Sequence, residues 1–293
     1  MRIGVLLMPT DPWPETVGTA QRLEALGYHH LWVYDHLSWR RYRDRPWHAT
    51  YPWLAGLAAN TRRIRLGTMV SNLNLRHPLA LAKDAMTIDH ISAGRLTLGL
   101  GAGGVGLDAT VFGQPQLTPT QRVERLSEAA YLIDGVLRDQ LHDHSGAFYE
   151  VSGARLLPGC VQQPRLPLAI AAGRSKSLQV AAEYGDAWIT HGDTSYREVT
   201  AAGTERVVNE QSRQLDDHCQ MFGRDPAEID RIYLIGNTEA RPLSSVGAFE
   251  EFMGRYAELG FTDLVFHMPR VDDPVWNESP EVVEKIAEKL LQR

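Results

Sequence analysis

The stretch from Arg63 to Gly104, RIRLGTMVSNLNLRHPLALAKDAMTIDHISAGRLTLGLGAGG, decides the fold. It reads as strand, turn, helix and strand. Ile64, Leu66 and Thr68 alternate with Arg63, Arg65 and Gly67, and Met69 and Val70 close a short apolar run. Pro78 suits the first turn of a helix, where its missing N–H costs nothing. Leu81, Ala85, Ile88 and Ile91 then recur at helical spacing. Gly94 ends that helix, and Leu96, Leu98 and Leu100 begin a buried strand. Two strands joined through a helix run parallel, with a right-handed crossover.

The last residues, GLGAGG, match G-x-G-x-x-G at Gly99, Gly101 and Gly104. A dinucleotide fingerprint needs a helix directly after the glycines and an acidic residue about 20 positions on. Here the chain continues VGLDATVFGQPQLTP, a loop. The glycines therefore read as a strand end at which backbone approaches a flat ligand closely.

Outward from this unit, strand-like and helix-like segments alternate along the whole chain. The predicted strands are Ile3–Met8, His29–Tyr34, Ile64–Met69, Leu96–Leu100, Pro167–Ala171, Ala187–Thr190, Ile232–Asn237 and Leu264–His267. The predicted helices are Pro14–Leu26, Thr50–Ala59, Pro78–Ile91, Thr120–Leu137, Lys176–Tyr184, Tyr196–Phe222, Ser245–Leu259 and Pro280–Leu291. Eight such units in 293 residues predict an α/β fold, a single (β/α)8 TIM barrel forming one domain over residues 1–293. The stretch Gly104–Leu166 holds the fourth helix and then a polar segment, HDHSGAFYEVSG, an insertion after the fourth strand that reads as a hairpin or loop over one face. Gly27, Gly185 and Gly260 each follow a helix, where a left-handed cap is expected.

Composition narrows the function classes. The net charge of −6 argues against nucleic-acid and membrane-surface partners. No stretch approaches the ~20 apolar residues of a membrane span, and the apolar run in MRIGVLLMP is too short for a signal peptide. Cys160 and Cys219 have no metal-type spacing and fit a reducing cytoplasm rather than a disulfide framework. A small-molecule substrate is the expected partner.

In such a barrel the active site forms at the C-terminal strand ends. That places Met8, Asp35, His36, Met69 to Asn74, Gly101 to Gly104, Gly173 to Ser175, Thr190, His191, Asn237 and His267 to Pro269 there. His36 can exchange a proton near neutral pH, with Asp35 orienting its ring after a turn; alternatively His36 only caps the strand. Gly173-Arg174-Ser175 opens a helix whose free N–H groups suit a phosphate, or it is an ordinary serine cap. The loop WRRYRDRPWH, Trp39 to His48, carries four arginines that either guide a polyanion or stay solvated. His142 and His144 form an H-x-H pair in the polar insertion without convergent partners, so no metal site is expected. No G-x-S-x-G and no P-loop occurs. Trp32, Trp53, Trp188 and Leu234 read as core packing.

These segments in this order resemble the luciferase-like superfamily of flavin- and coenzyme F420-dependent oxidoreductases. The matching stretches are HLWVYDHL, RIRLGTMVSNLNLRHPLALAKDAMTIDHISAGRLTLGLGAG, LPLAIAAGRSKSLQVAAEYGDAWIT and GRDPAEIDRIYLIG. The resemblance implies a barrel with the cofactor ring at the strand C-termini. His36 is similar to the histidine that the deazaflavin branch sets near the reacting ring, and Asp35 to its neighbour in that Asp-His pair. Met69-Val70 falls where the family has a non-proline cis peptide, with Ser71 and Asn72 beside it. Gly101, Ala102 and Gly103 resemble the segment lining the cofactor, and Ala172, Gly173, Arg174 and Ser175 its phosphate loop. The substrate pocket implied is Met8, Trp39, Thr190 and His191. Trp39 stands one residue off the aromatic found in sugar-oxidising relatives. Sugar-phosphate dehydrogenases of the branch carry an acid directly after the glycines, where this chain has Gly104, which argues for a bulkier or less polar substrate. The function implied is F420-dependent hydride transfer with a small organic substrate, reducing a C=C or C=N bond or oxidising an alcohol. The alternatives are an FMN-dependent monooxygenase and a non-catalytic flavin-binding barrel. A cytoplasmic homodimer packed through Thr50–Ala59 and Lys83–Ile91 is also implied.

Overall fold

A computed structural model describes residues 1–192, 200–236, 240–270, 272–273 and 275–291. Its strands are β1 (Arg2–Leu7), β2 (His30–Val33), β3 (Arg65–Thr68), β4 (Leu96–Gly101), β5 (Leu168–Ala171), β6 (Ala187–Thr190), β7 (Asp230–Leu234) and β8 (Asp263–His267). All run parallel in sequence order, and β1 closes on β8 with Arg2 opposite Asp263 and Leu6 opposite His267. The expected barrel is present. Asn237 and the Tyr196 end of the sixth predicted helix lie outside the described residues.

Helices alternate with the strands: α1 (Trp13–Ala25), α2 (Thr50–Asn60), α3 (Pro78–Ile91), α4 (Pro119–Leu137), α5 (Ser175–Tyr184), α6 (Ala201–Met221), α7 (Val246–Glu258) and α8 (Glu281–Leu290). Their starts follow local chemistry. The His77 ring accepts from Leu79 N ahead of α3, Thr118 and Gln121 form a capping box ahead of α4, and Ser245 accepts from Ala248 N at α7.

Strand side chains are buried on both faces, which explains the nearly unbroken apolar runs. Val5, Leu31, Leu66 and Leu98 pack outward under the helices. Leu6, Trp32, Met69, Ile189 and Val265 fill the barrel. Trp32 shows how size is balanced inside. A Cβ at Gly67, opposite it on β3, would come within 2.3 Å of the indole. Trp53, Trp188 and Leu234 are buried as expected.

Gly27 and Gly260 are left-handed, at φ 90° and 83°. Gly185 is not: its φ is −79°. Glycine is required there for space, since a Cβ would stand 2.6 Å from the Ala181 carbonyl oxygen.

The insertion does form a small hairpin, His144–Ser145 against Glu150–Val151. It lies against the outside of the barrel. Glu128 of α4 accepts from Phe148 N and Tyr149 N, and Asp89 of α3 accepts from Val161 N at 2.8 Å. His142 and His144 are engaged separately, with the Ala154 carbonyl and Glu128.

Candidate active site

Three segments meet at the C-terminal end of the barrel: the residues after β2, the turn after β3, and the loop after β4. The Met69–Val70 peptide is cis, as the resemblance implied. Beyond it Ser71 and Asn72 run alongside Leu100 and Gly101 of β4. The glycines of β4 have a first neighbour other than the expected ligand. A Cβ at Gly99 would fall 1.8 Å from the Thr68 carbonyl oxygen, and one at Gly101 2.4 Å from the Val70 side chain. These two glycines admit the passing turn.

Asp35 is buried, 1% exposed, and does not touch the His36 ring, contrary to expectation. Its carboxylate accepts from Asn72 N at 3.0 Å and pairs with Arg76, whose guanidinium lies 4.5 Å over the Tyr51 ring. Tyr51 Oη bonds Ser71 Oγ at 2.6 Å, Ser71 bonds Thr68 at 2.7 Å, and Thr68 donates to the Gly99 carbonyl at 3.0 Å. Burial pushes the Tyr51 phenol far above its ordinary pKa, so it stays neutral. Asp35 thus anchors the turn that carries the cis peptide.

The carboxylate on His36 is Asp108. Its Oδ2 lies 2.6 Å from His36 Nδ1 and accepts from Asn72 Nδ2 at 2.9 Å, while Oδ1 accepts from Leu37 N at 3.2 Å. Only 10% of the Asp108 side chain and 28% of the His36 side chain are exposed. Asp108 sits in the stretch that the sequence presents as a loop, on a short helical turn, Leu107–Thr110. The available signal was that it is the single acid between Asp89 and Glu124. The place after the glycines is Gly104, yet the loop supplies an acid four residues later.

Aromatic rings wall the mouth. Trp39 stacks on His36 at 6.1 Å, on Tyr42 at 5.9 Å and on Trp276 at 6.0 Å between centroids. Trp276 stacks on His267 at 3.6 Å, and His267 Nε2 meets Tyr34 Oη at 2.7 Å. Tyr42 donates to buried Asp273, which also accepts from Val275 N and Trp276 N and so pins the segment after β8 across the mouth. Met8 is buried with Met69 beneath this wall. Arg45 lies over the Tyr42 ring at 5.7 Å, so at least that arginine of the basic loop packs on an aromatic face.

Gly173, Arg174 and Ser175 do open α5. Ser177 Oγ accepts from Gly173 N at 3.3 Å and Arg174 N at 3.2 Å, and Ser175 Oγ meets His218 Nε2 at 3.1 Å. Thr190 is buried and donates to Gln211, which in turn donates to the Gly173 and Gly192 carbonyls. Ala172 is buried and His191 half-buried at the same strand ends. Among the described residues, several buried nitrogens here lack a partner: Trp47 Nε1 beside His36, Asn74 Nδ2 next to Gly103, Arg125 Nε, and His218 Nδ1 on the ring that meets Ser175. Gly103 is left-handed at φ 76°, and a Cβ on it would come within 3.1 Å of both Arg125 and Asn74.

The model of the family described as luciferase-like monooxygenase matches residues 1–236. The chain belongs to the luciferase-like family. It is an oxidoreductase of that family. It is 28% identical to the F420-dependent glucose-6-phosphate dehydrogenase of Beutenbergia cavernae, covering 92% of this chain and 90% of that one. Its fold matches an F420-dependent secondary alcohol dehydrogenase in complex with an F420-acetone adduct, with a TM-score of 0.81 at 15% identity over 98% of this chain and 97% of that one. It also matches a monooxygenase from Streptomyces bottropensis, with a TM-score of 0.78 at 20% identity over 99% of both chains.

Within this luciferase-like barrel, sequence patterns missed Tyr34, Tyr42, Trp47, Asp108 and Trp276. Most lie in loops, where no period marks which side chain turns inward. Among the described residues, no helix is long and apolar enough to cross a membrane, and no group of three or more His, Cys, Asp or Glu is placed to hold a metal ion.

Proposed function

We propose that this chain is a coenzyme F420-dependent oxidoreductase that moves a hydride between the deazaflavin and a small organic substrate, most directly in reducing a C=C or C=N bond. The observation that carries the proposal is His36, set in the mouth with Nδ1 turned to a carboxylate and its ring among aromatic faces. The 28% identity to an F420-dependent dehydrogenase over nearly the whole chain supports the same cofactor.

The residues present fit such a group. The unpartnered donors at Asn74, Arg125 and Trp47 suit the acceptor-rich edge of a flavin-like ring. Gly101, Ala102, Gly103, Met69, Val70, Ser71 and Asn72 would line it. Ala172, Gly173, Arg174 and Ser175 would hold its phosphate, with the opening of α5 favouring negative charge. Bound there, the deazaflavin supplies or takes the hydride.

The chain's own residues do the rest. With Nδ1 engaged, His36 exchanges its proton through Nε2, giving it to the atom left electron-rich when a double bond is reduced, or taking it from an alcohol oxygen in the reverse direction. Trp39 and Trp276 keep water from that exchange, and Met8, Trp39, Thr190 and His191 border the substrate. Asp35 holds the turn behind the ring. A single barrel domain, a homodimer through α2 and α3, and a reducing cytoplasm complete the proposal; Cys160 and Cys219 are buried and unpaired.

A second reading, a monooxygenase using reduced FMN and oxygen, is favoured by the family description and the fold match to a monooxygenase. A fluorescence titration with oxidised F420 beside FMN separates them. Saturable binding of F420, at least about ten-fold tighter than FMN (a 1.4 kcal/mol difference), is expected. Preference for FMN overturns the deazaflavin assignment.

A further inference from the structure

The loop after β4 combines two properties that rarely occur together. It is the most exposed apolar part of the mouth, with Val105 69%, Phe112 58%, Val111 42% and Leu107 38% exposed. It also carries a carboxylate that is nine-tenths buried. Its backbone hydrogen bonds are internal: Ala109 N to Gly106 O, Val111 N to Leu107 O, and Gly113 N to Thr110 O. Left-handed glycines punctuate it, Gly103 at φ 76° just before it and Gly106 at φ 120° and Gly113 at φ 76° within it. Among the described residues, the hydrogen bonds tying positions 104–117 to the barrel are those of Asp108, to His36, Asn72 and Leu37.

An ionised carboxylate only accepts, so Asp108 requires the His36 proton on Nδ1. In the neutral imidazole the lone pair then belongs to Nε2, the nitrogen turned away from Asp108. Asn72 Nδ2 and Leu37 N hold the carboxylate from two further directions, so the ring is fixed by a group that is itself fixed. Without Asp108 the imidazole is free to take either tautomer and to turn about its χ angles. A loop fastened by one side chain leaves the barrel when that side chain lets go.

We infer that Asp108 is a positioning residue for His36 and also the latch of the 104–117 loop, so that His36 is set for proton exchange only while the loop is closed. This rests on the proton role proposed above for His36. The apolar side chains on the loop give it a second consequence: closure brings Val105, Leu107 and Phe112 to the entrance, which suits an uncharged, apolar substrate rather than a sugar phosphate.

The test compares Asp108→Ala and Asp108→Glu with the parent protein in three readouts. In ¹H–¹⁵N spectra the parent shows a protected His36 Nδ1–H; in Asp108→Ala this signal is lost, and Asp108→Glu restores it at least in part. In amide hydrogen exchange, peptides spanning 105–113 exchange roughly ten-fold faster in Asp108→Ala while the strands are unchanged. In turnover, kcat falls about 10- to 100-fold with the cofactor Kd changed less than about three-fold. An unaltered ring signal in Asp108→Ala, or unaltered exchange at 105–113, overturns the inference. Both of those readouts need no turnover, so a protein that fails to use F420 sinks the proposed function and leaves this inference to be judged separately.

Discussion

The two ends of the barrel handle their polar groups in opposite ways. At the N-terminal end, arginines are saturated by the chain itself. Arg2 grips Asp263 through two bonds of 2.7 Å and reaches Asp230 at 2.6 Å. Arg95 donates to the carbonyls of Ser92, Ile64 and Ala58, and Arg165 joins Asp134 to Asp186. Glu24 accepts from three successive N–H groups, Arg62 to Ile64. At the C-terminal end, buried donors on Trp47, Asn74 and Arg125 lack partners among the described residues, and the ring of His36 is held by a loop. Groups satisfied within the chain make a floor; groups left over make a place for something to bind.

That contrast is broken or sharpened by exchanging the tests between the two ends. The largest effect is expected at the mouth. His36→Ala should lower turnover about 10²- to 10⁴-fold, the range of a general acid or base, while the unfolding midpoint and cofactor affinity stay near those of the parent. Equal turnover in the variant would remove His36 from the mechanism. Next comes the floor. Arg2→Ala leaves Asp263, which is fully buried, without its cation. Arg2 itself is 41% exposed and Thr262 still donates to the carboxylate. The loss is therefore that of charged hydrogen bonds, about 1.5–3 kcal/mol, and urea unfolding should shift by that order while kcat of the folded enzyme is preserved. A variant as stable as the parent would show that the floor is dispensable.

The difference between the ends also explains what could be read from the sequence. Strands buried on both faces write themselves as apolar runs, and Ala187–Thr190 and Pro78–Ile91 were found with the same limits as in the structure. Helix starts at Pro78 and Ser245 are legible because capping is local, whereas the cap at Thr118 lies two residues before the predicted start at Thr120. The mouth is assembled by return of loops, and that leaves no period. His36 and Asp108 are 72 residues apart, and Tyr42 and Asp273 are 231 apart. Adjacency misled in the same way: Asp35 follows Tyr34 and precedes His36, yet its carboxylate serves the Asn72 turn. Glycines show the limit of a residue-type argument. Gly185 was expected for its backbone freedom and is needed for its lack of a Cβ. Gly99 and Gly101 are read from the sequence only for close approach to a ligand, and the structure gives them a further need for a missing Cβ, the room taken by Thr68 and Val70.

The smallest effect concerns a floor residue that is not saturated. His30 is 7% exposed, and its Nδ1 has no partner among the described residues. Its Nε2 lies 3.6 Å from Asp263, which alone would favour the cation. Burial outweighs that attraction, and Arg2, His29 and Arg65 add repulsion that Asp230 only partly offsets, so the pKa is pushed down to about 3. Arg2 already takes both oxygens of Asp263, which is why the nearby carboxylate does not rescue the charge. The sign of the pH effect follows. The unfolded chain, with an ordinary histidine pKa near 6.5, binds a proton that the folded chain refuses. Stability from this residue is therefore fully present above pH ~6.5 and is lost as pH falls toward 3, by at most about 1.4 kcal/mol per pH unit. Comparing pH 6.5 with pH 5 keeps the measurement above the range in which carboxylates titrate. His30→Gln should flatten the fall in unfolding free energy across that interval, whatever its effect at pH 7. An identical slope in parent and variant would mean that His30 accepts its proton in the folded state, and that Asp263 serves two cations at once.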